Sequence, residues 1–449
     1  MIGLKVVVYG AGISGKGAAE VFAGQGNEVV LYNDTPVQVG ADLQEVLKSC
    51  GGRVQIGDFQ TLLEWAELLI LSPGIDPANA NVQNAREHNM KVLPEIEAAL
   101  DNYAGRMAAI TGTNGKTTTT TLVGEMFKTL GVPTKVAGNI GLSLAKEIDG
   151  LPADAWVAAE ISSFQLETTQ YFTPQISCVL NLTPDHLERH HTLEAYYEAK
   201  RRICARQTGE QFTVLNYDDP VVRYWAAGLH SQVCYFSRKV ELPEGVFVQN
   251  GSFVIKWRGL EQTVCEVAAM KIFGPHNVEN ALAAIAVGFL AGCKIGDMAR
   301  VIGDFQPVEH RLEYVRTLDG VPYYNDSKAT NTDSAVKALE SFPQGHIVLI
   351  AGGHDKLTDL TDFMESVKHY TDELILLGEA KQRFYEAAQT QGIGHIHLVD
   401  SFEESVNLAR KLAKKPQVVL LSPACSSFDM FSCFEERGEK FKALVRELR

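Results

Sequence analysis

The segment that most constrains this chain is Thr111 to Thr118, with the sequence TGTNGKTT. The apolar residues Met107 to Ile110 before it predict a strand, and apolar side chains recur at helical spacing from Thr119 to Leu130 after it. In a glycine loop between a strand and a helix, successive backbone N–H groups and the positive end of the helix point at one spot. Because a polyphosphate suits that spot, the segment predicts an α/β domain that binds a nucleotide.

Two side chains of this loop carry further chemistry. Lys116 would place a positive charge on the β- and γ-phosphates, and the Thr117 hydroxyl would be a hard oxygen ligand for Mg²⁺. The strict phosphate-loop pattern requires a glycine five residues before Gly115, where this chain has Ile110. A Gly/Asn turn that caps a helix is the alternative. Since Gly-Lys-Thr directly follows an apolar strand, we predict ATP binding by Gly112, Thr113, Asn114, Gly115, Lys116, Thr117 and Thr118.

A second glycine loop, Gly10 to Gly15 (GAGISG), follows the apolar strand Lys5 to Tyr9 and precedes a helical segment, Lys16 to Gly24. The next predicted strand, Glu28 to Tyr32, ends at Asn33-Asp34, where dinucleotide-binding folds keep a ribose-binding acid. NAD is therefore one candidate ligand. The loop requires only a diphosphate at a helix N-terminus, however, so UDP satisfies it equally well.

Another predicted strand, Leu68 to Leu71, leads into Ser72-Pro73-Gly74-Ile75. This segment is either a ligand-binding turn at the carboxyl end of a parallel strand or a plain Pro-Gly turn. Much later, Asn277 and Asn280 lie near the start of a predicted helix, Val278 to Leu290. Their amides could contact an adenine edge or cap the helix, and the sequence alone leaves both interpretations open.

A candidate metal ligand follows the apolar run Ala155 to Ala159. Glu160 stands at the end of that predicted strand, and a buried carboxylate beside a phosphate loop is costly without a partner, so we favour Mg²⁺ ligation over a salt bridge. The predicted strand Cys178 to Leu182 delivers His186 to the same edge. The sequence His186-Leu-Glu-Arg-His190 differs by one position from the zinc-protease pattern, so we do not expect zinc there.

From about Glu309 onward, predicted strands alternate with helices, which favours a second doubly wound sheet. The predicted strands are Val321 to Tyr324, His346 to Ile350, Glu373 to Leu377, His395 to Val399 and Gln417 to Leu421. Three of them end in polar loops at residues 325–331, 352–356 and 422–428. Carboxyl ends of parallel strands share one edge, so these loops should converge on one cleft, and lysines in two of them favour an anion. Cys425 in the third loop is expected to pack rather than to act as a nucleophile.

Composition limits the remaining possibilities. A chain of 449 residues should form two to four domains. The net charge of −14 argues against a nucleic-acid surface, and the longest uncharged apolar run, Ala281 to Cys293, is too short to span a bilayer. The eight cysteines include no C-x-x-C pair, and the N-terminus enters a strand without a charged leader, so we expect a protein of the reducing cytoplasm.

Several motifs together resemble the Mur ligases of peptidoglycan synthesis, in the family's order and over the whole chain. These motifs are GTNGKTT (112–118), GNIG (138–141), EISSFQLE (160–167), the segment 186–200, GPHNVENALAA (274–284), EHR (309–311), NDSKATN (325–331) and LSPACSSFDMF (421–431). The phosphate loop is similar to that of every Mur ligase and of folylpolyglutamate synthetase, which accounts for Ile110. EISSFQLE and SPACSSFDMF resemble the D-glutamate-adding members in particular.

The resemblance implies three α/β domains. Residues 1–97 would form a Rossmann-like domain for UDP, residues 98–307 a central P-loop ATPase domain with a parallel sheet, and residues 308–449 a Rossmann-like, doubly wound domain for the amino acid. The implied activity is ATP-dependent addition of D-glutamate to UDP-N-acetylmuramoyl-L-alanine through an acyl phosphate. Another Mur-type or folylpolyglutamate-type ligase is the alternative within this class. Two alternative functions belong to other classes of protein. A nicotinamide oxidoreductase would bind NAD at GAGISG but would leave TGTNGKTT without a role, and a nucleotide-dependent switch would bind ATP without an acceptor substrate.

The resemblance also implies roles for individual residues. The catalytic residues would be Lys116, Glu160, His186 and Lys200, and two Mg²⁺ ions would be held by Thr117, Glu160, His186 and a carbamate on Lys200. Further ATP contacts would be Asn277, His310, Arg311 and Asp326. The UDP-substrate contacts would be Gly12, Ile13, Ser14, Ser72, Pro73, Gly74, Asn139 and Ser162. The D-glutamate contacts would be Lys328, Thr330, Lys356, Ser427 and Phe434.

Lys200 has an alternative interpretation, as a surface lysine paired with Glu194 or Glu198, and the match through His186 favours the carbamate. The segment Asn33 to Pro36 departs from the family pattern, because it has no arginine where some members have one near UDP, so uracil contacts are not assigned. The implied partners are small molecules only, without nucleic acid or membrane, and the chain is expected to be a monomer.

Overall fold

The computed structural model describes residues 2–101, 103–139 and 143–449. These residues form three separate β-sheets, each flanked by helices. The first compact unit, residues 1–269 and 279–303, contains the first two sheets; the second unit, residues 270–278 and 304–449, contains the third. Ile140 and Gly141 of the predicted GNIG turn lie outside the described residues.

The N-terminal sheet is entirely parallel, with the strand order β3-β2-β1-β4-β5. Its strands are Lys5–Tyr9 (β1), Glu28–Asn33 (β2), Arg53–Ile56 (β3), Leu68–Leu71 (β4) and Lys91–Pro94 (β5), and its helices are Ile13–Gly24 (α1), Ala41–Ser49 (α2), Gln60–Leu63 (α3), Ala80–Glu87 (α4) and Glu95–Leu100 (α5). Apolar clusters cover both faces of the sheet, which explains why β1 and β4 are apolar throughout rather than alternating. The three predicted strands of this region are confirmed.

The central sheet has nine strands in the order β14-β13-β12-β11-β10-β9-β6-β8-β7. They are Arg106–Thr111 (β6), Thr134–Gly138 (β7), Trp156–Glu160 (β8), Ile176–Val179 (β9), Phe212–Asn216 (β10), Gln232–Ser237 (β11), Gly245–Gln249 (β12), Ser252–Trp257 (β13) and Leu260–Glu266 (β14). The helices are Lys116–Lys128 (α6), Leu144–Ile148 (α7), Ser163–Leu166 (α8), Leu187–His190 (α9), Leu193–Arg201 (α10), Pro220–Tyr224 (α11), Pro275–Ala291 (α12) and Ile295–Asp304 (α13).

Seven strands of the central sheet, from β7 across to β12, are parallel, and β13 and β14 continue from β12 as an antiparallel meander at one edge. No pattern in the sequence predicts this meander. Most of β14 is exposed, so its sequence lacks the apolar run that marks the buried strands. Helix α6 begins three residues earlier than predicted, at Lys116, because Gly115 directly precedes it as the N-cap.

The C-terminal sheet has the order β15-β16-β20-β17-β18-β19, and only the β15–β16 pair is antiparallel. Its strands are Glu313–Leu318 (β15), Val321–Asn325 (β16), Ile347–Gly352 (β17), Thr371–Leu377 (β18), Ile396–Leu398 (β19) and Val418–Leu421 (β20), and its helices are Thr332–Leu339 (α14), Thr361–Tyr370 (α15), Lys381–Thr390 (α16), Phe402–Leu412 (α17) and Phe434–Glu447 (α18). Two apolar cores lie on opposite faces of the sheet, so the predicted doubly wound domain is confirmed. Within the described parts of the chain, no helix is both long and apolar enough to cross a bilayer.

Candidate active site

The phosphate loop adopts a backbone conformation that requires glycine at two positions. Gly115 has φ of 84° and Gly112 has φ of 152°, both in the region that residues with a Cβ rarely adopt. A Cβ on Gly115 would also lie 2.2 Å from Asn280 Oδ1. The loop therefore places its backbone at the N-terminus of α6 without intervening side chains, as an anion site requires.

Two residues that the sequence analysis does not single out hold this loop. Asn181 accepts a hydrogen bond from Asn114 N at 2.8 Å through its side chain, and its backbone carbonyl accepts one from Thr113 N at 2.9 Å. The Thr113 hydroxyl lies 3.1 Å from Tyr196 Oη. Asn181 follows β9 at the carboxyl edge of the sheet. This position after a predicted strand is the feature of the sequence that could have indicated its role.

The side chain of Lys116 folds back over the phosphate loop. Its ammonium group donates to the carbonyl oxygens of Gly112 at 3.0 Å and Thr113 at 2.8 Å. The side chain thus adds a positive charge to the spot at which the α6 N-terminus points. Both the charge and the helix dipole favour a phosphate at this place.

Two buried oxygens beside the loop have no hydrogen-bond partner among the described residues. Glu160 is 2% exposed and Thr117 is 5% exposed. One Glu160 oxygen accepts from Asn139 Nδ2 at 3.1 Å, whereas Oε2 and the Thr117 hydroxyl have no such partner within the described ranges. Since β8 pairs with β6 so that Glu160 lies opposite Ile110, the carboxylate stands next to the phosphate loop. This donor set fits Mg²⁺, which prefers hard oxygen ligands.

Lys200 is buried, with 2% of its surface exposed, and donates to the carbonyl oxygen of Gly112 at 2.8 Å. Burial, together with the nearby positive charge of Lys116, lowers its pKa well below the ordinary value for lysine. The alternative of a surface ion pair is wrong, because Glu198 pairs with Arg201 instead, at 3.5 Å. The structure thus brings Lys200 together with the loop, as the family motif implies.

His186 lies at the end of the loop that follows β9, half-exposed and with φ of 54°. Its ring is 4.9 Å from the Phe164 ring, and its Nδ1 is 3.3 Å from Glu188 Oε1. His190 is buried, with Nε2 3.0 Å from Ser163 Oγ, and burial lowers its pKa to about 4. His190 therefore packs as a neutral ring against α8.

The N-terminal glycine loop confirms close packing of α1 on the sheet. A Cβ on Gly15 would lie 1.8 Å from the Gly10 carbonyl oxygen, whereas a Cβ on Gly12 would meet nothing within 4 Å. Gly12 is the N-cap of α1, and Ile13 and Ser14 are the first residues of the helix. The open side of the loop therefore lies at the positive end of the helix dipole. Ser72 Oγ donates to Gly10 O at 2.9 Å, which brings the Ser72-Pro73-Gly74 turn beside this loop.

Asp34, the acid at the end of β2, is engaged within the domain. Tyr9 donates to its Oδ2 at 2.5 Å and Tyr32 to its Oδ1 at 2.9 Å. Burial and the hydrogen bond to Asp34 raise the pKa of Tyr9 to about 12, so its hydroxyl stays a donor at neutral pH. Both oxygens that a dinucleotide ribose would use therefore already accept hydrogen bonds, which disfavours NAD.

The segments assigned to the UDP substrate in the central domain are also locally ordered. Ser162 caps α8, and Gln165 completes a capping box with it. Arg189 was not anticipated from the sequence, and its Nη2 donates to Ile75 O at 2.8 Å and to Glu167 Oε2 at 3.0 Å. Arg189 thus connects the turn after β4 with the EISSFQLE segment.

In the second unit, the three predicted loops converge at the carboxyl edge of the sheet. His354 N donates to Ser426 O at 3.0 Å, and Ser422 Oγ donates to Asp326 Oδ2 at 2.8 Å. Burial raises the pKa of Asp326 to about 7. The convergence on one edge that the strand order predicts is therefore observed within this unit.

The buried Arg437 holds two of these loops together. Its guanidinium donates to Ser327 O at 2.8 Å and to Cys425 O at 3.1 Å. No sequence motif marks Arg437, which lies in the amphipathic helix α18. Cys425 is buried, and burial raises its pKa to about 12, so it packs as expected rather than forming a thiolate.

The remaining predicted residues of the second unit, except Asn277, lie in these loops or follow them closely in the fold. Lys328 Nζ is 5.1 Å from the centroid of the Phe434 ring, and Lys328 N donates to His310 O at 3.1 Å. Thr330, Lys356 and Phe434 are half-buried and Ser427 is buried. Arg311 follows His310 directly, and the Asn277 amide donates to Phe273 O at 2.7 Å near the start of α12. The roles of these side chains toward ATP and D-glutamate stay predictions.

Three family models match consecutive parts of the chain. "Mur ligase MurD-like, N-terminal domain" matches residues 4–94, "Mur ligase middle domain" matches 110–288, and "Mur ligase, glutamate ligase domain" matches 310–425. Each match coincides with one of the three sheets and includes its glycine-rich or polar loops. The chain therefore belongs to the Mur ligase family, whose members are ATP-dependent ligases that form amide bonds.

Two relatives that carry the same name match nearly the whole of this chain. The "UDP-N-acetylmuramoylalanine--D-glutamate ligase" of Pelotomaculum thermopropionicum is 43% identical over 447 residues, covering 99% of this chain and 98% of that protein. The protein of the same name from Thermoanaerobacter sp. is 41% identical over 450 residues, covering 100% and 99%.

Solved structures show the same fold at lower identity. The pseudomurein peptide ligase type C from Methanothermus fervidus has a TM-score of 0.62 at 17% identity, covering 99% of this chain and 100% of that one. UDP-N-acetylmuramate-alanine ligase MurC from Thermotoga maritima has a TM-score of 0.61 at 19% identity, covering 99% of both chains.

Proposed function

We propose that this chain joins D-glutamate to UDP-N-acetylmuramoyl-L-alanine and converts ATP to ADP and phosphate in doing so. The observation that carries the proposal is the sequence identity of 43% over 447 residues to the Pelotomaculum thermopropionicum protein, whose name describes this reaction. The phosphate loop, the two buried unpartnered oxygens and the polar loops of the C-terminal sheet agree with it. Residues 1–97, 98–307 and 308–449 are the proposed functional divisions.

In the first step, the terminal carboxylate of the UDP substrate attacks the γ-phosphate of ATP to form an acyl phosphate and ADP. Both partners are anionic, so the site must offset negative charge at the reacting oxygens. Lys116 supplies one charge, and the α6 N-terminus with its backbone N–H groups holds the phosphates. Mg²⁺, when held by Thr117 and Glu160, would neutralise further charge on the phosphates.

In the second step, the D-glutamate amine attacks the activated carbonyl, and phosphate leaves from the tetrahedral intermediate. No protein nucleophile is required, so positioning and electrostatics supply the catalysis. We assign the two D-glutamate carboxylates to Lys328 and Lys356, with Thr330, Ser427 and Phe434 lining the site.

We further propose that Lys200 carries a carbamate and that two Mg²⁺ ions bind, with His186 as an additional ligand. A buried ammonium beside Lys116 is unfavourable, whereas a carbamate reverses the charge and supplies hard oxygen donors. The cytoplasm and a monomeric state are part of the same proposal, since the substrates are small molecules of cytoplasmic precursor synthesis.

One assay tests the reaction. Phosphate release from ATP is measured with UDP-N-acetylmuramoyl-L-alanine and, in separate arms, D-glutamate, L-glutamate, L-lysine or meso-diaminopimelate. We expect turnover with D-glutamate alone. Equal turnover with L-lysine would assign the chain to another branch of the family, and phosphate release that no amino acid stimulates would favour a nucleotide-dependent switch.

A further inference from the structure

Two buried glutamates lie at the start of α5, the helix that follows the last strand of the N-terminal sheet. Glu95 is 1% exposed and Glu97 is 7% exposed. Neither has a part in the proposed chemistry. A buried carboxylate is costly unless hydrogen bonds compensate for the lost water, so the partners of these two residues indicate what they do.

Glu95 contacts α7. Its Oε1 accepts a hydrogen bond from Ala145 N at 3.2 Å. In the chain, α7 follows the segment of Asn139, which is assigned to the UDP substrate and also contacts Glu160. The central domain thus reaches the N-terminal domain through α7.

Helix α1 of the N-terminal domain holds α7 as well. Lys146 forms an ion pair with Glu20 at 2.7 Å. A Cβ on Gly17 would lie only 1.9 Å from Ser143 Oγ, so the two helices are in close contact. Helix α1, whose N-terminus is assigned to the diphosphate, therefore also packs against Ser143 and α7.

Glu97 contacts the turn after α8. Its Oε1 accepts hydrogen bonds from three consecutive backbone N–H groups, those of Gln170 at 2.5 Å, Tyr171 at 2.5 Å and Phe172 at 2.8 Å. Helix α8 begins after Ser162, the other central-domain residue assigned to the UDP substrate. Because one oxygen accepts hydrogen bonds from three consecutive N–H groups, it fixes the path of this turn.

We propose that Glu95 and Glu97 are positioning residues that fasten the two acceptor-binding segments of the central domain to the UDP-binding domain. Neither residue is assigned a contact with ATP or with the reacting carboxylate. The proposal rests on the proposed function, in which one long substrate has its diphosphate at α1 and its reacting end near Asn139 and Ser162. Binding energy at the UDP end aids the reaction only if the distance between the two ends is fixed, and the glutamates of α5 fix it.

Paired substitutions separate this role from a general loss of stability. Glu97→Leu removes the acceptor of three N–H groups, and Glu95→Met removes that of Ala145. Glu97→Gln and Glu95→Gln keep an accepting oxygen, because in each native residue only Oε1 has a hydrogen-bond partner among the described residues. Asp218→Leu is the matched control, since Asp218 also accepts three hydrogen bonds, from Ser237 Oγ, Arg238 N and Lys239 N, but at a turn without an assigned substrate contact.

The readouts are calorimetric affinity for UDP-N-acetylmuramoyl-L-alanine, the KM for ATP, and amide hydrogen exchange. We expect Glu97→Leu and Glu95→Met to weaken acceptor binding by about tenfold or more, with the KM for ATP within about twofold. Amide hydrogen exchange should rise at residues 170–172 in Glu97→Leu and at residues 144–148 in Glu95→Met. In each variant, the other segment should keep the exchange rate of the wild type. The glutamine variants should show smaller losses in the same direction, and Asp218→Leu should keep the native acceptor affinity.

Acceptor affinity that stays native in both apolar variants would overturn the proposal, and so would a loss that Asp218→Leu reproduces. If an apolar variant does not fold, the glutamine variants decide: unchanged exchange at the two segments together with unchanged affinity overturns it. Wild-type protein that does not bind the acceptor would contradict the proposed function itself, whereas binding by wild type without loss in the variants contradicts only the positioning role.

Discussion

The ammonium nitrogen of Lys200 lies 2.8 Å from the carbonyl oxygen of Gly112, which places a buried lysine directly against the phosphate loop. The Tyr196 ring lies 4.8 Å from the same nitrogen. The charge of Lys116 disfavours a buried ammonium at this place, whereas the carboxylates of Asp185 and Glu160 favour one. The carbamate on Lys200 stays a proposal, and a substitution of this residue tests it.

Lys200→Ala is expected to lower phosphate release by about a hundredfold or more, because it removes a ligand of the charge-neutralising site. Millimolar formate or acetate should restore part of the activity, since a small carboxylate can occupy the vacated space and supply oxygen donors. Steady-state rates with and without the added carboxylate measure this. Lys128→Ala, at an exposed ion pair with Glu125, is the control. Unchanged activity of Lys200→Ala would remove the carbamate proposal.

Lys116→Ala is expected to lower phosphate release about a hundredfold to a thousandfold, because it removes one charge contact of the transition state. Binding of UDP-N-acetylmuramoyl-L-alanine should stay close to native, since its UDP end is assigned to the separate sheet that carries Gly12. Calorimetry of the variant checks this separation. Loss of acceptor binding together with activity would contradict it.

Lys328→Ala and Lys356→Ala are each expected to raise the KM for D-glutamate about tenfold to a hundredfold, the usual effect of losing one charge-assisted hydrogen bond. The KM for the UDP acceptor should change little. Lys381→Ala is a suitable control, because Lys381 pairs with Asp400 at 2.5 Å on the surface of the same domain. A D-glutamate KM that stays native in both variants would show that the anion site lies elsewhere.

The local parts of the site could be predicted from the sequence, whereas its supports could not. The phosphate loop is a continuous segment whose glycines, lysine and flanking apolar runs are visible together. By contrast, the Asn181 that binds Asn114 is 67 residues away in the chain, and Arg437 is 110 residues from Ser327. Such contacts depend on strand order and helix packing, and an isolated Asn or Arg in a sequence carries no sign of its partner.

Two strands at sheet edges, β14 and β15, could not be predicted, for a related reason. Buried parallel strands such as β6 and β17 are continuous apolar runs, which a sequence displays directly. Strands β14 and β15 lie at sheet edges and are largely exposed or half-buried, so their sequences resemble loops. In the C-terminal sheet all five predicted strands are present, including the edge strand β19, which is half-buried to exposed.

The last prediction concerns the pH dependence of stability at Glu95. Burial raises its pKa to about 7 from an ordinary value of 4.5. Between pH 4.5 and about 7, the folded protein therefore keeps this proton, whereas the unfolded chain has released it. Because folding binds a proton in this interval, the free energy of unfolding falls as pH rises through it. The full change is on the order of 3 kcal/mol. Glu95→Gln cannot titrate, so its stability should fall less over the same range.

Urea denaturation followed by tryptophan fluorescence measures this difference, because all four tryptophans, Trp65, Trp156, Trp225 and Trp257, lie in the first compact unit together with Glu95. Asp326→Asn is the control: it also removes a buried acid whose pKa is raised to about 7, but in the second unit, so the fluorescence transition should keep the wild-type pH dependence. We expect the stability of wild type relative to Glu95→Gln to decrease steadily from pH 4.5 to 7 and to level off above it. A stability difference that is constant or increases over this interval would mean that Glu95 is already ionised in the folded protein.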